Sequence, residues 1–259
     1  MTCIIGASAI KLRTVINLYL SYNSDIGSVR AENQDKICAG FLLDNVSLAV
    51  VCDGMGGAAS GSVASELAAT EIYRRISSGY REGMKPTVVR HLLETAVNAA
   101  NSIVYEKSCE DIEKNGMGTT CVVALVIDKC AHILNVGDSR AYLMNDGGIT
   151  QITEDHTYVN MLYKHGEITL EEMENHRMKN IITRAVGVEA KIETDYFELE
   201  QEGNFAIFLC TDGLTAYCHP QIIYDSVYNK NLDQGVSDLI DYCNACGGKD
   251  NISAAVIAN

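Results

Sequence analysis

The sequence is short of positive charge, nearly free of proline and without a long apolar run. Lysine and arginine number 20 against 34 aspartates and glutamates, a formal net charge of −14. A surface that acidic repels phosphate backbones, so no nucleic-acid partner is expected, and it suits gathering carboxylates around cations. No uninterrupted apolar window of about 18 residues occurs, so no membrane helix is expected. Met1 to Ile10 is apolar but short, and its basic residues, Lys11 and Arg13, come after it, the reverse of a secretion signal. Repeats, low-complexity tracts and Pro/Ser-rich linkers are missing, which excludes a fibrous or disordered chain. The only prolines, Pro86 and Pro220, read as isolated turns. Cys243 and Cys246 form a C-x-x-C with no second pair to complete a zinc site, so they read as two ordinary helix cysteines.

What remains is a core-rich chain of 259 residues, 47% hydrophobic, long enough to bury a large core without staples. Cys52, Cys121 and Cys210 fall within or at the end of apolar runs, as buried free thiols do. A chain of this kind with no signal reads as cytoplasmic, with reduced thiols. Short β-rich runs occupy residues 15–22, 47–52, 120–127, 131–136, 141–144, 205–210 and 253–258. Asp128–Lys129 and Asp146-Gly147-Gly148 suggest hairpin turns between them. Two apolar stripes at helical spacing mark helices over 62–76 (Val63, Leu67, Ala68, Ile72, Ile76) and 87–105 (Val89, Leu92, Leu93, Ala96, Ala100, Ile103). Two consecutive helices followed by hairpins argue against β-α-β alternation and for antiparallel sheets covered by helices. Residues 157–180 are polar and strand-poor, as an insertion or lid over the sheet edge would be.

The aspartates share one local grammar. Asp53, Asp138 and Asp212 each follow an apolar strand, Asp250 precedes the last one, and Asp35 lies close to the first. One such residue is ordinarily a turn residue. Several at strand ends are different, because neighbouring strands lie about 4.8 Å apart and can bring carboxylates within metal-bridging reach. Unneutralised, such a cluster would repel itself or take up protons. Hard oxygen donors select magnesium or manganese over zinc. The Gly54-x-Gly56 turn imitates a dinucleotide site, but the second strand with its acid is missing. Gly137-Asp-Ser-Arg140 imitates an esterase serine, but no histidine and acid are spaced to serve it.

The blocks Arg30-Ala-Glu-Asn-Gln-Asp35, Asp53-Gly-Met-Gly-Gly57, Gly116-Met-Gly-Thr-Thr120, Gly137-Asp-Ser-Arg140, Thr153-Glu-Asp-His156, Thr211-Asp-Gly-Leu214 and Lys249-Asp-Asn-Ile252 occur in order. The ordered set resembles the metal-dependent protein serine/threonine phosphatases of type 2C in their compact bacterial form, from about Thr14 to the C-terminus. Residues 1–12 would be an extension beyond the usual start.

The resemblance implies an α+β fold, a four-layer α-β-β-α sandwich of two antiparallel sheets flanked by helix pairs. It would form a single phosphatase domain over 1–259 with a flap at about 157–180. It implies that Asp53 bridges two Mn2+ or Mg2+ ions, that the Gly54 carbonyl binds the second, and that Asp212 and Asp250 complete the first. Asp138 and Asp212 would hold a third, weaker metal. Asp35 would orient waters, and Arg30 would clamp the substrate phosphate. The implied reaction is hydrolysis of phosphoserine and phosphothreonine in proteins by a metal-bridging hydroxide, without a phospho-enzyme. The substrates would be phosphoproteins made by a serine/threonine kinase in bacterial signalling, and the enzyme a monomer with no membrane partner. Met55 stands where animal members carry a histidine acid, which leaves the leaving-group proton unassigned, and Gln34 stands where many relatives have Glu. His156 reads as support for a turn. The alternative on the same fold is a catalytically silent phosphoprotein-binding module, which would be expected to have lost ligand positions that this chain keeps.

Overall fold

The computed structural model describes residues 17–56, 60–110 and 116–259. The apolar N-terminal stretch and its basic flank lie outside the described residues. Eleven strands are described: β1 (Tyr19–Asp25), β2 (Asp35–Leu43), β3 (Val46–Met55), β4 (Gly118–Thr119), β5 (Cys121–Ile127), β6 (Cys130–Val136), β7 (Arg140–Asn145), β8 (Gly148–Gln151), β9 (Asp195–Glu200), β10 (Phe205–Cys210) and β11 (Ile252–Ala258). The helices are α1 (Ser60–Gly79), α2 (Pro86–Cys109), α3 (Tyr158–Lys164), α4 (Leu170–Glu174), α5 (Asp212–Thr215), α6 (Pro220–Val227) and α7 (Leu232–Ala245).

Two sheets form, ordered β1-β11-β10-β7-β8 and β2-β3-β5-β6-β9, with β4 paired to β3. Every ladder is antiparallel. Alternation along the inner strands explains the layering. In β3, Val46, Leu48, Val50 and Cys52 face α1 and α2, whereas Ala49 and Val51 face the other sheet. In β10, Ala206, Phe208 and Cys210 face α5–α7, whereas Ile207 and Leu209 face inward. Both faces are therefore buried, and the strands read as continuous apolar runs rather than alternating ones. This is the four-layer α-β-β-α sandwich that the resemblance implies.

Several local expectations need correction. Pro86 and Pro220 do not mark isolated turns: each is the first residue of a helix, α2 and α6. There the missing N–H costs nothing and the fixed φ suits helix entry. The buried stripe of α1 runs through Ala64, Ala68, Ala69, Ile72 and Ile76, with Val63 and Leu67 at its margin. β1 lies later than the 15–22 run, β2 holds an apolar run, Ile37–Leu43, that lies outside the expected strands, and β9 carries no such run. Asp128, at φ 52, makes the β5–β6 turn, and Asp146–Gly147 join β7 to β8. Residues 157–180 hold α3 and α4, each started by a threonine cap. The Thr157↔Ile182 bridge pinches the segment at its base.

Candidate active site

Antiparallel order delivers the end of β3, the end of β10 and the starts of β2, β7 and β11 to one pole of the sandwich. Asp35, first in β2, stands directly across from Asp53 in β3. Asp212 opens α5 immediately beyond β10, and Asp138 and Asp250 precede β7 and β11.

The backbone there is pinned residue by residue. The Asp53 N–H donates to Thr120 Oγ1 at 3.0 Å, and the Asp53 carbonyl accepts from Thr120 N–H and Thr119 Oγ1, both at 2.8 Å. Thr211 Oγ1 donates to Asp35 Oδ2 at 2.9 Å and accepts from Ser253 N–H at 3.1 Å, joining the two sheets. The Asn251 side chain accepts from Gln34 N–H at 2.8 Å and donates to the Ile26 and Glu32 carbonyls at 2.9 and 3.0 Å. That single amide shapes the loop that carries Arg30. Two glycines permit the close approach: a Cβ on Gly54 would lie 2.1 Å from the Gly61 carbonyl oxygen, and one on Gly213 would lie 2.0 Å from that of Asn251. Gly54 is thus required by packing, whatever its carbonyl binds.

A cavity of about 310 Å³ opens at this pole, lined by Arg30, Gln34, Asp53, Gly54, Met55, Asp138, Asp212 and Asp250. Asp35 is buried behind it. A groove of about 740 Å³ continues from it, walled by Tyr163, Lys164 and Met173 of the 157–180 segment and by Tyr217 and His219 beyond α5. All seven site residues expected from sequence therefore meet at one place, six around the cavity and Asp35 beneath it.

The electrostatics are strained. Burial, then the neighbouring carboxylates of Asp35, Asp212, Asp138 and Asp250, hold the Asp53 carboxyl well above its ordinary range. Burial and Asp212 push Asp138 up to about 7. Burial pushes Asp35 to about 7 despite its hydrogen bonds, and its Oδ1 is buried with no partner. Asp212 is raised by burial and by Asp250. Among the described residues no three His, Cys, Asp or Glu side chains are already drawn in around one point. Arg30 instead pairs with Asp250 at 2.7 Å. An oxygen-only donor set, an orphaned buried carboxylate oxygen and mutual repulsion fit hard divalent cations.

His156 lies behind Asp138. Its Nδ1 accepts from Gly137 N–H at 3.1 Å, so Nε2 carries the proton toward Asp195 Oδ2, 3.1 Å away. Burial lowers its pKa. Both ring nitrogens are engaged, Nδ1 with the Gly137 N–H before Asp138 and Nε2 with Asp195, which agrees with a supporting role.

A protein-family profile described as Protein phosphatase 2C matches residues 28–256. The chain belongs to this family. The serine/threonine phosphatase Stp of Listeria welshimeri serovar 6b is 34% identical over 244 residues, 93% of this chain and 95% of that protein. The solved serine/threonine phosphatase Stp1 of Staphylococcus aureus superposes with a TM-score of 0.86 at 33% identity, over 94% of this chain and 96% of its own. A solved catalytic domain of the phosphatase PstP, in complex with two manganese ions, gives 0.80 at 31% identity over 93% and 97%. Within the protein phosphatase 2C fold, sequence reasoning found the acidic residues but gave no role to Thr119, Thr120, Thr211 or Asn251. Each lies inside a quoted block, but the group it holds is far away in the chain: Asp53 for Thr119 and Thr120, Asp35 for Thr211 and the loop of Arg30 for Asn251.

Proposed function

We propose that this protein phosphatase 2C member is a protein serine/threonine phosphatase that hydrolyses phosphoserine and phosphothreonine directly, with Mn2+ or Mg2+ as cofactor. The observation that carries the reading is the convergence of Asp53, Asp138, Asp212 and Asp250 on one cavity, with carboxyls destabilised by burial and by one another. Asp53, the Gly54 carbonyl, Asp212 and Asp250 would hold two cations, and Asp138 with Asp212 a third. When bound, such cations offset the charge of a phosphomonoester dianion and lower the pKa of a water toward neutrality.

The chain's own groups do the rest. Arg30, half-exposed at the cavity rim, presents a planar fork matched to two phosphate oxygens. In this structure the fork is held by Asp250, so substrate phosphate and Asp250 compete for it. Asp35, fixed by Thr211, directs its unpartnered Oδ1 as an acceptor for an ordered water. Water attacks phosphorus in line, the bond to the serine or threonine oxygen breaks, and the leaving oxygen is protonated from solvent. Met55 cannot supply that proton, and His156 is turned away from the cavity.

The groove between the 157–180 flap and the residues after α5 suits a peptide segment flanking the phosphorylated residue, as a kinase-modified protein would offer. Because the site is complete within one chain, we read the enzyme as a monomer. No described helix is long and apolar enough to cross a membrane. The nine described cysteines are all free, which suits a reducing cytoplasm.

The test is turnover of p-nitrophenyl phosphate and of a phosphothreonine peptide with Mn2+, Mg2+ and Zn2+, wild type beside Asp53→Asn. Manganese-dependent hydrolysis, abolished by chelator and in the variant, is expected. Metal binding without turnover would return the silent-module reading.

A further inference from the structure

The α5–α7 layer on the outer face of the first sheet carries a feature that phosphate hydrolysis does not use. Cys218, in the turn between α5 and α6, and Cys243, in α7, are 25 residues apart in sequence, and their Sγ atoms lie 3.4 Å apart. Both are buried, at 2% and 0% exposure. One turn further on, Cys246 caps the end of α7 through its N–H to the Tyr242 carbonyl at 3.0 Å, and it is exposed. Residues three apart on a helix share a face, with Cβ atoms about 5–6 Å apart. A solvent-facing thiol therefore stands next to an inward-facing one, which already touches a third.

We propose that Cys246, Cys243 and Cys218 form a thiol relay that accepts oxidation by a hydroperoxide at Cys246 and stores it as a buried Cys218–Cys243 disulfide.

The steps balance. The Cys246 thiol attacks the peroxide O–O bond, giving a sulfenic acid and an alcohol, or water where the oxidant is hydrogen peroxide. The Cys243 thiol attacks the Cys246 sulfur and the hydroxyl leaves as water, taking the Cys243 proton. Cys218 then attacks the Cys243 sulfur, Cys246 leaves, and it receives the Cys218 proton. Two thiols and one hydroperoxide become one disulfide, one alcohol and one water. The hydrogen bond between the buried pair lowers the Cys218 pKa and, with burial, raises that of Cys243, so Cys243 reacts as the protonated thiol and Cys218 is favoured as the final attacking thiolate.

Geometry sets the end point. A bond between Cys243 and Cys246 would close a ring across the last turn of α7, against the C-cap hydrogen bond. The Cys218 and Cys243 sulfurs need only close from contact to bonding distance, about 2.05 Å. The bond would also reach the catalytic pole. The Leu214 carbonyl in α5, two residues from Asp212, accepts from Cys218 N–H at 3.0 Å and from Cys243 Sγ at 3.7 Å. The oxidised form ties α7 to the turn that follows Asp212.

The experiment treats the full-length protein with hydrogen peroxide, blocks residual thiols and maps disulfides by peptide mass. A Cys109→Ser background removes another exposed thiol. The expected product is the Cys218–Cys243 disulfide, with a melting temperature raised by about 5 °C or more and reversed by dithiothreitol. Cys246→Ser, with unchanged phosphatase activity under reduction, should slow its formation at least about tenfold. The proposal is overturned if Cys218 and Cys243 both remain alkylatable after Cys246 has been consumed, if the bond stays between Cys243 and Cys246, or if Cys246→Ser forms the buried disulfide at the wild-type rate.

Discussion

The two poles of the sandwich are built by the same strands and differ in chemistry, not in shape. Where β1 and β10 begin and β2 and β11 end, a cavity of about 580 Å³ is lined by Leu18, Phe41, Phe205 and Tyr228. Its polar groups are satisfied: Asn259 Oδ1 accepts from Phe205 N–H at 2.7 Å, and Tyr228 donates to Asp146 at 3.0 Å. At the opposite pole the adjoining cavities measure about 310 and 740 Å³, no different in kind. There, however, buried carboxyls crowd one another and Asp35 Oδ1 has no partner. Volume does not mark the site. The mark is charge that the fold confines and leaves uncompensated.

The largest effect separates the poles outright. Asp212→Ala should lower manganese-dependent turnover by about 10³-fold or more, because it removes an oxygen donor for cations that stabilise the transition-state charge. In chelator its melting temperature should be equal to or above wild type, since one repelling carboxylate is gone. Phe205→Ala at the far pole should do the reverse. Phe205 is 1% exposed between the sheets, and its loss should cost about 3–5 kcal/mol, or roughly 10 °C, with kcat little changed. Thermal melts and steady-state assays on the two variants check both. A large fall in stability for Asp212→Ala would remove the claim that the site is strained.

The same contrast explains what could be read from the sequence. Inner strands with two buried faces announce themselves as runs such as Phe205–Cys210 and Cys121–Ile127. The poorly anticipated strands β2, β8 and β9 each lie at a sheet edge and are half-wet; β8 and β9 offer no apolar run to detect, whereas β2 does offer one, Ile37–Leu43, with Gly40 in its middle. α6 and α7 were expected only through the resemblance, although Val236, Leu239, Ile240 and Cys243 of α7 do lie at helical spacing. The acidic residues were legible because an Asp at the end of a buried strand is conspicuous. Their supports were not. Nothing in a threonine or an asparagine tells whether its side chain turns outward to water or inward to hold Asp53 or the Arg30 loop; that depends on register across strands distant in the chain.

A smaller effect follows from the sign of the pKa shifts. Asp35 and Asp138 are raised to about 7, so the folded chain holds these protons more tightly than the unfolded chain does. Their contribution to stability is complete below about pH 4 and is lost as pH climbs through about 7. Without metal, the melting temperature should therefore fall between pH 5 and pH 8, by about 5 °C. Saturating Mn2+ should flatten that slope, because the cations replace the protons. Phe205→Ala should keep the wild-type slope, and Asp138→Asn should reduce it. A metal-free melting temperature that rises over this interval would contradict the electrostatic difference between the poles.

The smallest effect concerns two side-chain amides, one at each pole, Asn251 buried and Asn259 half-buried. Asn251 is 5% exposed and ties Gln34, Ile26 and Glu32 into the loop that presents Arg30. Asn259 makes corresponding ties to Phe205 and Gly203 at the far end. Cutting either to alanine leaves backbone groups unpaired and should cost about 1–3 kcal/mol. Stability alone would therefore not distinguish them. Kinetics should: Asn251→Ala frees the Arg30 loop and should raise KM for a phosphothreonine peptide about three- to tenfold, with kcat within about twofold, because a guanidinium that wanders binds phosphate less well in ground and transition states alike. Asn259→Ala should leave both constants unchanged. Equal KM for the two variants would mean that the Arg30 loop is held without Asn251, and that the amide at the catalytic pole serves the fold as its counterpart does.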